Sequence, residues 1–207
     1  MAIDDILDEH EQSRRVQEWL RRNGAGLIGG VLLGLAAIGG WKWWEQREAR
    51  ARMGEADAFQ SVVDAVERDG VKAASRVATL PAGTYRTLAA LRLAKAQADA
   101  KDGAAAIATL RGAMPEDPAL RTIVVQRIAR LQIDAGKAAD ALASLTGTDG
   151  PTLELRGDAQ FALGQVDDAR ESYRKALAAT GVGSPQRRLI ELKYTQAGGV
   201  PAQPQTP

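Results

Sequence analysis

The chain has 207 residues, a formal net charge of +1, no cysteine and a single histidine, His10. The missing thiols exclude disulfides, thiolate metal sites, cysteine nucleophiles and a lipidated cysteine, and one histidine leaves little room for metal chemistry. With 27 Lys and Arg set against 26 Asp and Glu and no strongly basic block, a surface built to neutralise nucleic-acid phosphates is excluded as well.

The first 22 residues form an arm that starts acidic (Asp4, Asp5, Asp8, Glu9, Glu11) and turns basic (Arg14, Arg15, Arg21, Arg22). Ile3, Ile6 and Leu7, then Val16, Trp19 and Leu20, recur at helical spacing, which fits a short amphipathic helix at a membrane surface or a solvated tail anchored by Trp19. Residues 23–41 then run without a formal charge in a chain that is 26% charged. At about 1.5 Å per helical residue they cover roughly the 30 Å hydrocarbon thickness of a bilayer, so residues 23–44 read as one membrane span. Trp41, Trp43 and Trp44, with Lys42, close it, since indole rings favour the headgroup boundary. No small-residue cleavage site follows, so the span reads as a retained anchor rather than a signal peptide. Within fifteen residues each side carries four basic residues, Arg14, Arg15, Arg21 and Arg22 against Lys42, Arg47, Arg50 and Arg52. The positive-inside rule therefore ties, and only the Arg21-Arg22 pair leans toward a cytoplasmic N-terminus.

Residues 45–197 are expected to form one helical domain. Good helix formers with Met53, Ala56, Phe59, Val63 and Val66 on one face fill 45–68 and stop at Asp69-Gly70; a second helix, 72–79, ends at Leu80-Pro81. A repeat follows: Arg92-Leu-Ala-Lys-Ala-Gln-Ala-Asp-Ala100 returns 35 residues later as Arg127-Ile-Ala-Arg-Leu-Gln-Ile-Asp-Ala135. The match continues with Ala106 and Ala141, then Leu110 and Leu145. A third unit comes 28 residues on, pairing Gln132, Gly136 and Ala141 with Gln160, Gly164 and Ala169. Gly136 and Gly164 suit left-handed helix ends, and Ala141 and Ala169 suit close helix packing. Pro115, Pro118 and Gly150-Pro151 separate the units, and Ser184-Pro185 opens a last helix containing Leu189, Leu192 and Tyr194. Residues 198–207 have the composition of a disordered tail.

Helix-turn-helix units at this period resemble tetratricopeptide repeats, best in the third, where Gly157, Leu163, Gly164, Ala169, Tyr173, Ala176 and Leu177 fall at the repeat's small, aromatic and leucine positions. Leu153 stands where that repeat has tryptophan, and the closing proline, Pro185, is late. The fold expected is all-α, a single transmembrane helix followed by an α-solenoid of three to four such repeats. The whole layout resembles the YfgM family, through the acidic-to-basic arm, the span with Gly26, Gly30 and Gly34, the Gly40-Trp-Lys-Trp-Trp44 exit, Leu88-Ala-Ala-Leu-Arg-Leu-Ala-Lys95, Arg127-Ile-Ala-Arg130 and Leu155-Arg-Gly-Asp158. The resemblance implies a bacterial inner-membrane protein with a cytoplasmic arm and a periplasmic repeat domain, beside the SecYEG channel and the anchored chaperone PpiD. It also implies an ancillary, non-catalytic role in passing emerging proteins to periplasmic chaperones.

Motifs with chemical potential read as structural. Gly24-Ala-Gly26-Leu-Ile-Gly29 has dinucleotide-loop spacing but lies in an apolar helix with no strand before it. Ser172-Tyr-Arg-Lys175 has the spacing of a Ser-Lys nucleophile pair without its partner motifs, and both residues are expected on a solvated face. Asp99 and Asp134 read as helix-end residues. No catalytic residue, cofactor, metal or small-molecule substrate is expected. The candidate sites are a helix-packing stripe at Gly26, Gly30 and Gly34, interface anchors at Trp41, Trp43 and Trp44, and a partner surface on the inner side of the repeats at Arg92, Gln97, Arg127, Arg130 and Gln160. The repeats alone would equally suit a scaffold for envelope assembly unrelated to secretion, and a membrane-anchored hydrolase is the remaining alternative.

Overall fold

The computed structural model describes residues 3–200, with side chains from Ser13 onward apart from Ala51; the His10 side chain and the tail from residue 201 lie outside the described residues. The chain divides into two compact units, Met1–Glu55 and Ala56–Pro207.

In the first unit a helix, α1 (Ile3–Asp69), already includes the arm and carries the whole apolar stretch, so Gly24, Gly26 and Gly29 sit on helical backbone rather than in a phosphate-binding loop. Leu27, Ile28, Val31, Leu32, Leu33, Leu35 and Ile38 are all exposed. Among the described residues this is the one helix long and apolar enough to cross a membrane, with a mean hydropathy of 1.7 over a window of which none is buried against protein. At the end of the stretch the Trp41 and Trp44 rings lie 6.1 Å apart, and the Arg47 guanidinium sits 5.7 Å over Trp43. A cation over an indole face suits a headgroup boundary, where the ring is half in lipid and the charge in water.

In the second unit the last turns of α1 bring Phe59, Val62, Ala65 and Val66 against Ala73, Val77, Leu80, Ala89, Ala90 and Leu93. Met53, read onto the same face, falls in the first unit and is exposed. Gly70, at φ +59°, ends α1 as its sequence position suggests; a 3-10 turn (Gly70–Ala73) and α2 (Ala74–Thr79) follow, and α2 stops before Pro81. Three helical hairpins come next: α3 (Thr84–Asp99) with α4 (Gly103–Gly112), α5 (Pro118–Asp134) with α6 (Ala138–Ser144), and α7 (Gly150–Ala162) with α8 (Val166–Ala179). Each second helix packs on the next first helix, and α3, α5 and α7 also touch in succession, which is the stacking of an α-solenoid. A last helix, α9 (Pro185–Gln196), packs on α8. Among the described residues there are no strands.

Asp102, Asp117 and Asp149 start α4, α5 and α7 by accepting hydrogen bonds from Ala105, Leu120 and Thr152 N–H at 2.9, 2.8 and 3.0 Å, an N-cap arrangement worth about 1 kcal/mol each. Ser184 departs from that pattern. It stands at the start of α9, but its hydroxyl donates to Gln186 Oε1 and makes no cap bond. In α9 the buried side chain is Ile190, while Leu189 and Leu192 are exposed, because α8 covers only one face of that helix.

The hairpins reverse in one way. Lys101, Gly136 and Gly164 have φ of +65°, +73° and +76°, and the amide after each bonds back to the carbonyl of Gln97, Gln132 or Gln160 at 2.8–2.9 Å, the doubled bond that ends a helix with a left-handed residue. Gly198, at φ +81°, ends α9 likewise, with Gly199 N–H donating to Tyr194 O at 2.8 Å. In its ending α9 is like the first helix of a hairpin. Only the first hairpin uses a side chain where glycine would be unstrained.

Packing within each hairpin exchanges volume between two positions. Ala94 packs in a cluster with Leu110, and Ala129 with Leu145. In the third unit the equivalent residues are Gly157 and Tyr173, and a Cβ on Gly157 would come within 2.5 Å of the Tyr173 ring. A larger side chain opposite requires a smaller one here. The third unit gives the domain its one buried tyrosine ring and allows no methyl group beneath it.

Two outcomes are expected in urea titrations of the full chain in detergent. Lys101→Gly relieves a left-handed side chain worth about 1 kcal/mol, partly offset by the freer unfolded chain, and should raise stability by roughly 0.5–1 kcal/mol; a loss would show that the lysine is not strained there. Gly157→Ala should cost about 1–3 kcal/mol by overpacking, and Tyr173→Leu should reduce that cost by recreating the alanine-leucine pairing of the other units.

Candidate functional site

The first helices of the first two hairpins line an open groove. Leu91, Arg92, Ala94, Lys95 and Ala98 of α3 face Ile123, Arg127, Arg130, Leu131 and Asp134 of α5 across Leu110, enclosing about 450 Å³. The floor is apolar and the rim basic. Arg92 reaches Glu67 at 3.3 Å and Lys95 reaches Asp99 at 2.6 Å, both exposed pairs of the kind that contribute little in water. Arg127 and Arg130 have no ion-pair partner among the described residues, and both are exposed. Ile123 is 46% exposed, so the floor keeps uncovered apolar surface.

Three of the five residues read as a partner surface, Arg92, Arg127 and Arg130, thus come together in this groove. Gln97 and Gln160 lie inside the hairpins instead. Gln97 Oε1 accepts from Thr109 Oγ1 at 2.8 Å. The Gln160 amide, with its nitrogen toward Ser172, donates to Ser172 Oγ at 2.6 Å, to Asp168 O at 3.1 Å and to Arg156 O at 3.3 Å, the orientation that satisfies both ends of the amide. These glutamines tie the two helices of a unit together. In the second unit Ser144 is the equivalent hydroxyl, but it donates to Ala141 O at 2.8 Å at the end of the short α6, and the buried Gln132 Oε1 has no partner.

Ser172, expected on a solvated face, is buried against Gln160, and Lys175 is exposed and pairs with Glu171 at 3.4 Å. Burial on the packed side of α8 takes the hydroxyl away from any substrate. Arg174 lies 2.7 Å from the same carboxylate and holds Glu171 down at about 2. Among the described residues no three His, Asp or Glu side chains gather as metal ligands.

On the inner face Lys95 and Arg130 share a register with Asp158, which inverts the sign of the third unit. Asp158 is spoken for: Lys193 Nζ of α9 donates to its Oδ2 at 2.7 Å and to Glu154 Oε1 at 2.5 Å, and Tyr173 OH donates to Asp158 Oδ1 at 2.9 Å. Burial first, and then the charges of Asp158 and Glu154, push the Tyr173 hydroxyl well above the usual tyrosine range, so it stays a donor. Neighbouring arginines bond the carbonyls at the helix ends between units. Arg156 donates to Leu145 O and Gly147 O at 2.6 and 3.1 Å, Arg187 to Leu177 O and Thr180 O at 3.0 and 3.2 Å, and Arg170 to Ala197 O at 2.7 Å. From sequence, Arg156, Asp158 and Tyr173 stand only as positions of repeat and family motifs, and Glu154, Arg170, Arg187 and Lys193 are not singled out, although the change from Lys95 and Arg130 to Asp158 at one register position is a visible signal for part of the framework.

In the first unit the glycine stripe keeps one side of α1 flat. Trp19, Asn23, Gly26, Leu27, Gly30 and Val31 line a shallow groove, and a Cβ on Gly26, Gly30 or Gly34 would meet nothing within 4 Å. Nothing inside the chain requires those glycines.

Stacked helical hairpins with an open inner groove, on a chain that also carries a helix of membrane-crossing length, define a helical-repeat protein. The tetratricopeptide repeat-like domain family matches residues 17–199, and the chain belongs to that family. It is similar to the ancillary SecYEG translocon subunit of Escherichia coli (strain K12), 32% identical over 107 residues, which are 50% of this chain and 52% of that protein. It is also similar to the ancillary SecYEG translocon subunit of Haemophilus influenzae, 26% identical over 118 residues, or 52% and 55% of the two chains. The chain therefore spans about half the length of the curated relatives it matches. The resemblance to the YfgM family drawn from the sequence is borne out in these relatives. No solved structure matches the chain.

Lys193→Met would leave the buried Glu154 and the partly buried Asp158 together without their cation. It should cost about 3–5 kcal/mol in chemical denaturation, and adding Glu154→Gln should recover part of that; an unchanged midpoint for the single variant would show that the network does not hold α9.

Proposed function

We propose that this chain is a non-enzymatic, membrane-anchored interaction protein, ancillary to the SecYEG translocon, in the bacterial inner membrane. Its arm lies in the cytoplasm and its hairpin domain in the periplasm. It helps pass secreted or envelope proteins from the channel to a periplasmic chaperone of the PpiD kind, and the groove between α3 and α5 holds a segment of the protein being passed or of its receiver. The observation that carries this reading is the open groove of the hairpin stack, present on a chain with one helix of membrane-crossing length among the described residues and similar to two proteins named as ancillary translocon subunits.

The span has a second role beyond anchorage. A glycine inside a helix costs about 1 kcal/mol relative to alanine, and here no neighbouring atom of the chain gains from the missing side chains. A flat stripe at Gly26, Gly30 and Gly34 lets another membrane helix approach until backbones touch. The Trp41, Trp43 and Trp44 cluster sets the depth at which that contact is made.

A photo-crosslinking residue in place of Ile123 in living cells should give adducts with channel subunits, periplasmic chaperones or translocating clients. Gly30→Leu with Gly34→Leu should lower co-purification of the channel without changing the melting of the hairpin domain. Adducts confined to cytoplasmic proteins would reverse the orientation and sink this reading. Adducts confined to envelope-assembly proteins would favour the scaffold instead.

A further inference from the structure

We propose that the segment held between α3 and α5 is an acidic, amphipathic stretch of a partner protein. Its carboxylates are read by Arg127 and Arg130, and its apolar side chains lie on Leu91, Ile123 and Leu131. This assignment rests on the groove being the partner site.

The sign of the groove is set by its lining, four basic side chains against one carboxylate, Asp134. Two of the cations, Arg92 and Lys95, already have exposed counter-acids in Glu67 and Asp99. Arg127 and Arg130 have none among the described residues, and three residues apart on α5 they stand on neighbouring turns and present two guanidinium forks to one side. The basic strip has a definite end. At the register of Lys95 and Arg130 the third hairpin carries Asp158, whose charge is taken up by Lys193 and whose other oxygen is taken up by Tyr173. A bound segment therefore finds cations only across the first two hairpins. Side chains three residues apart on a helix have Cβ atoms about 5–6 Å apart, so two carboxylates one or two residues apart in an extended segment can reach both Arg127 and Arg130.

Other anions suit the groove less well. It is bounded by the middle and C-terminal turns of α3 and α5, whose backbone N–H groups are already bonded within each helix, so it offers no amide nest to a phosphate. A lipid headgroup layer is flat, whereas Ile123 and Leu131 line a recess. Those side chains favour a ligand that brings apolar groups of its own.

The test uses the full chain in detergent and fluorescence anisotropy of a labelled peptide alternating glutamate with leucine and serine, beside analogues with glutamine or lysine in place of glutamate. The glutamate peptide should bind at least about tenfold more tightly than the glutamine analogue, and the preference should shrink at high salt. Arg127→Glu with Arg130→Glu should abolish the preference and favour the lysine analogue, while Arg111→Glu, outside this groove, should leave it intact. Equal binding of the glutamate and glutamine peptides, or an unaltered preference in the double charge reversal, would overturn the proposal. Binding to phosphatidylglycerol vesicles that depends on Arg127 and Arg130, without peptide binding, would overturn it in favour of lipid. If the preference is absent while crosslinks from position 123 persist in cells, the acidic assignment fails and the partner site stands; if the peptides bind as expected and the crosslinks are missing, the physiological reading fails instead.

Discussion

The hairpin domain depends on one backbone event repeated along the chain, a helix that ends on a left-handed residue and sends the next amide back to a carbonyl five residues earlier. That pair of bonds fixes both where a first helix stops and the direction in which its partner leaves, so the inner faces of α3, α5 and α7 keep a common register. Glycine does this at 136, 164 and 198 with little strain, and Lys101 shows that geometry, rather than composition, is what the turn requires. The fourth occurrence, after α9, has no second helix behind it among the described residues. Among the described residues α9 thus stands without a second helix, and the exposed Leu189 and Leu192 lie on the side of α9 that α8 leaves uncovered.

A chain of contacts connects that end to one missing methyl group. Because Gly157 has no Cβ, the Tyr173 ring can lie against α7; because the ring lies there, its hydroxyl reaches Asp158; and Asp158, with Glu154, receives Lys193 from α9. One buried and one partly buried carboxylate around an ammonium are costly to desolvate unless their remaining lone pairs are filled, and the tyrosine hydroxyl fills one of them. The first two units, with alanine opposite leucine, have no such hydroxyl and no such network. Capping of the solenoid is therefore a property of the third hairpin alone.

The sequence made the periodic features legible and hid the long-range ones. The apolar run, the glycine turns, the buried alanines at 106, 141 and 169 and the shortened second unit all follow from spacing, because spacing is what a helix and a repeat impose. Arg92, Arg127 and Arg130 could be placed on the inner side by the same logic. Gln97 and Gln160 could not be separated from them, since a glutamine tied to a hydroxyl on the facing helix looks like a surface glutamine until the partner at 109 or 172 is known. Ser172 misled for the same reason: the four-residue Ser-Lys spacing is local, whereas its burial is set by α7. Lys193 lies 35 and 39 residues from the carboxylates it joins, a separation at which only the repeat arithmetic leads from Lys95 and Arg130 to Asp158.

The second hairpin carries one wall of the groove and also the least satisfied buried side chain of the stack. Its second helix, α6, is seven residues long, against ten in α4 and fourteen in α8. Ending at Ser144, α6 leaves that hydroxyl bonded to its own helix and leaves Gln132 Oε1 buried without a partner. An unpaired buried acceptor costs about 1–3 kcal/mol, and Gln132 belongs to α5, the helix that also carries Arg127, Arg130 and Ile123. The helix that presents the groove is thus the least completely tied to its own hairpin partner, whereas α7 is held by Gly157, Gln160 and the lysine network. On the proposed reading, the groove lies over the hairpin with an unpaired buried acceptor and away from the hairpin with the filled lysine network, which fits the rule that elements that move on binding come from the less stable parts of a fold.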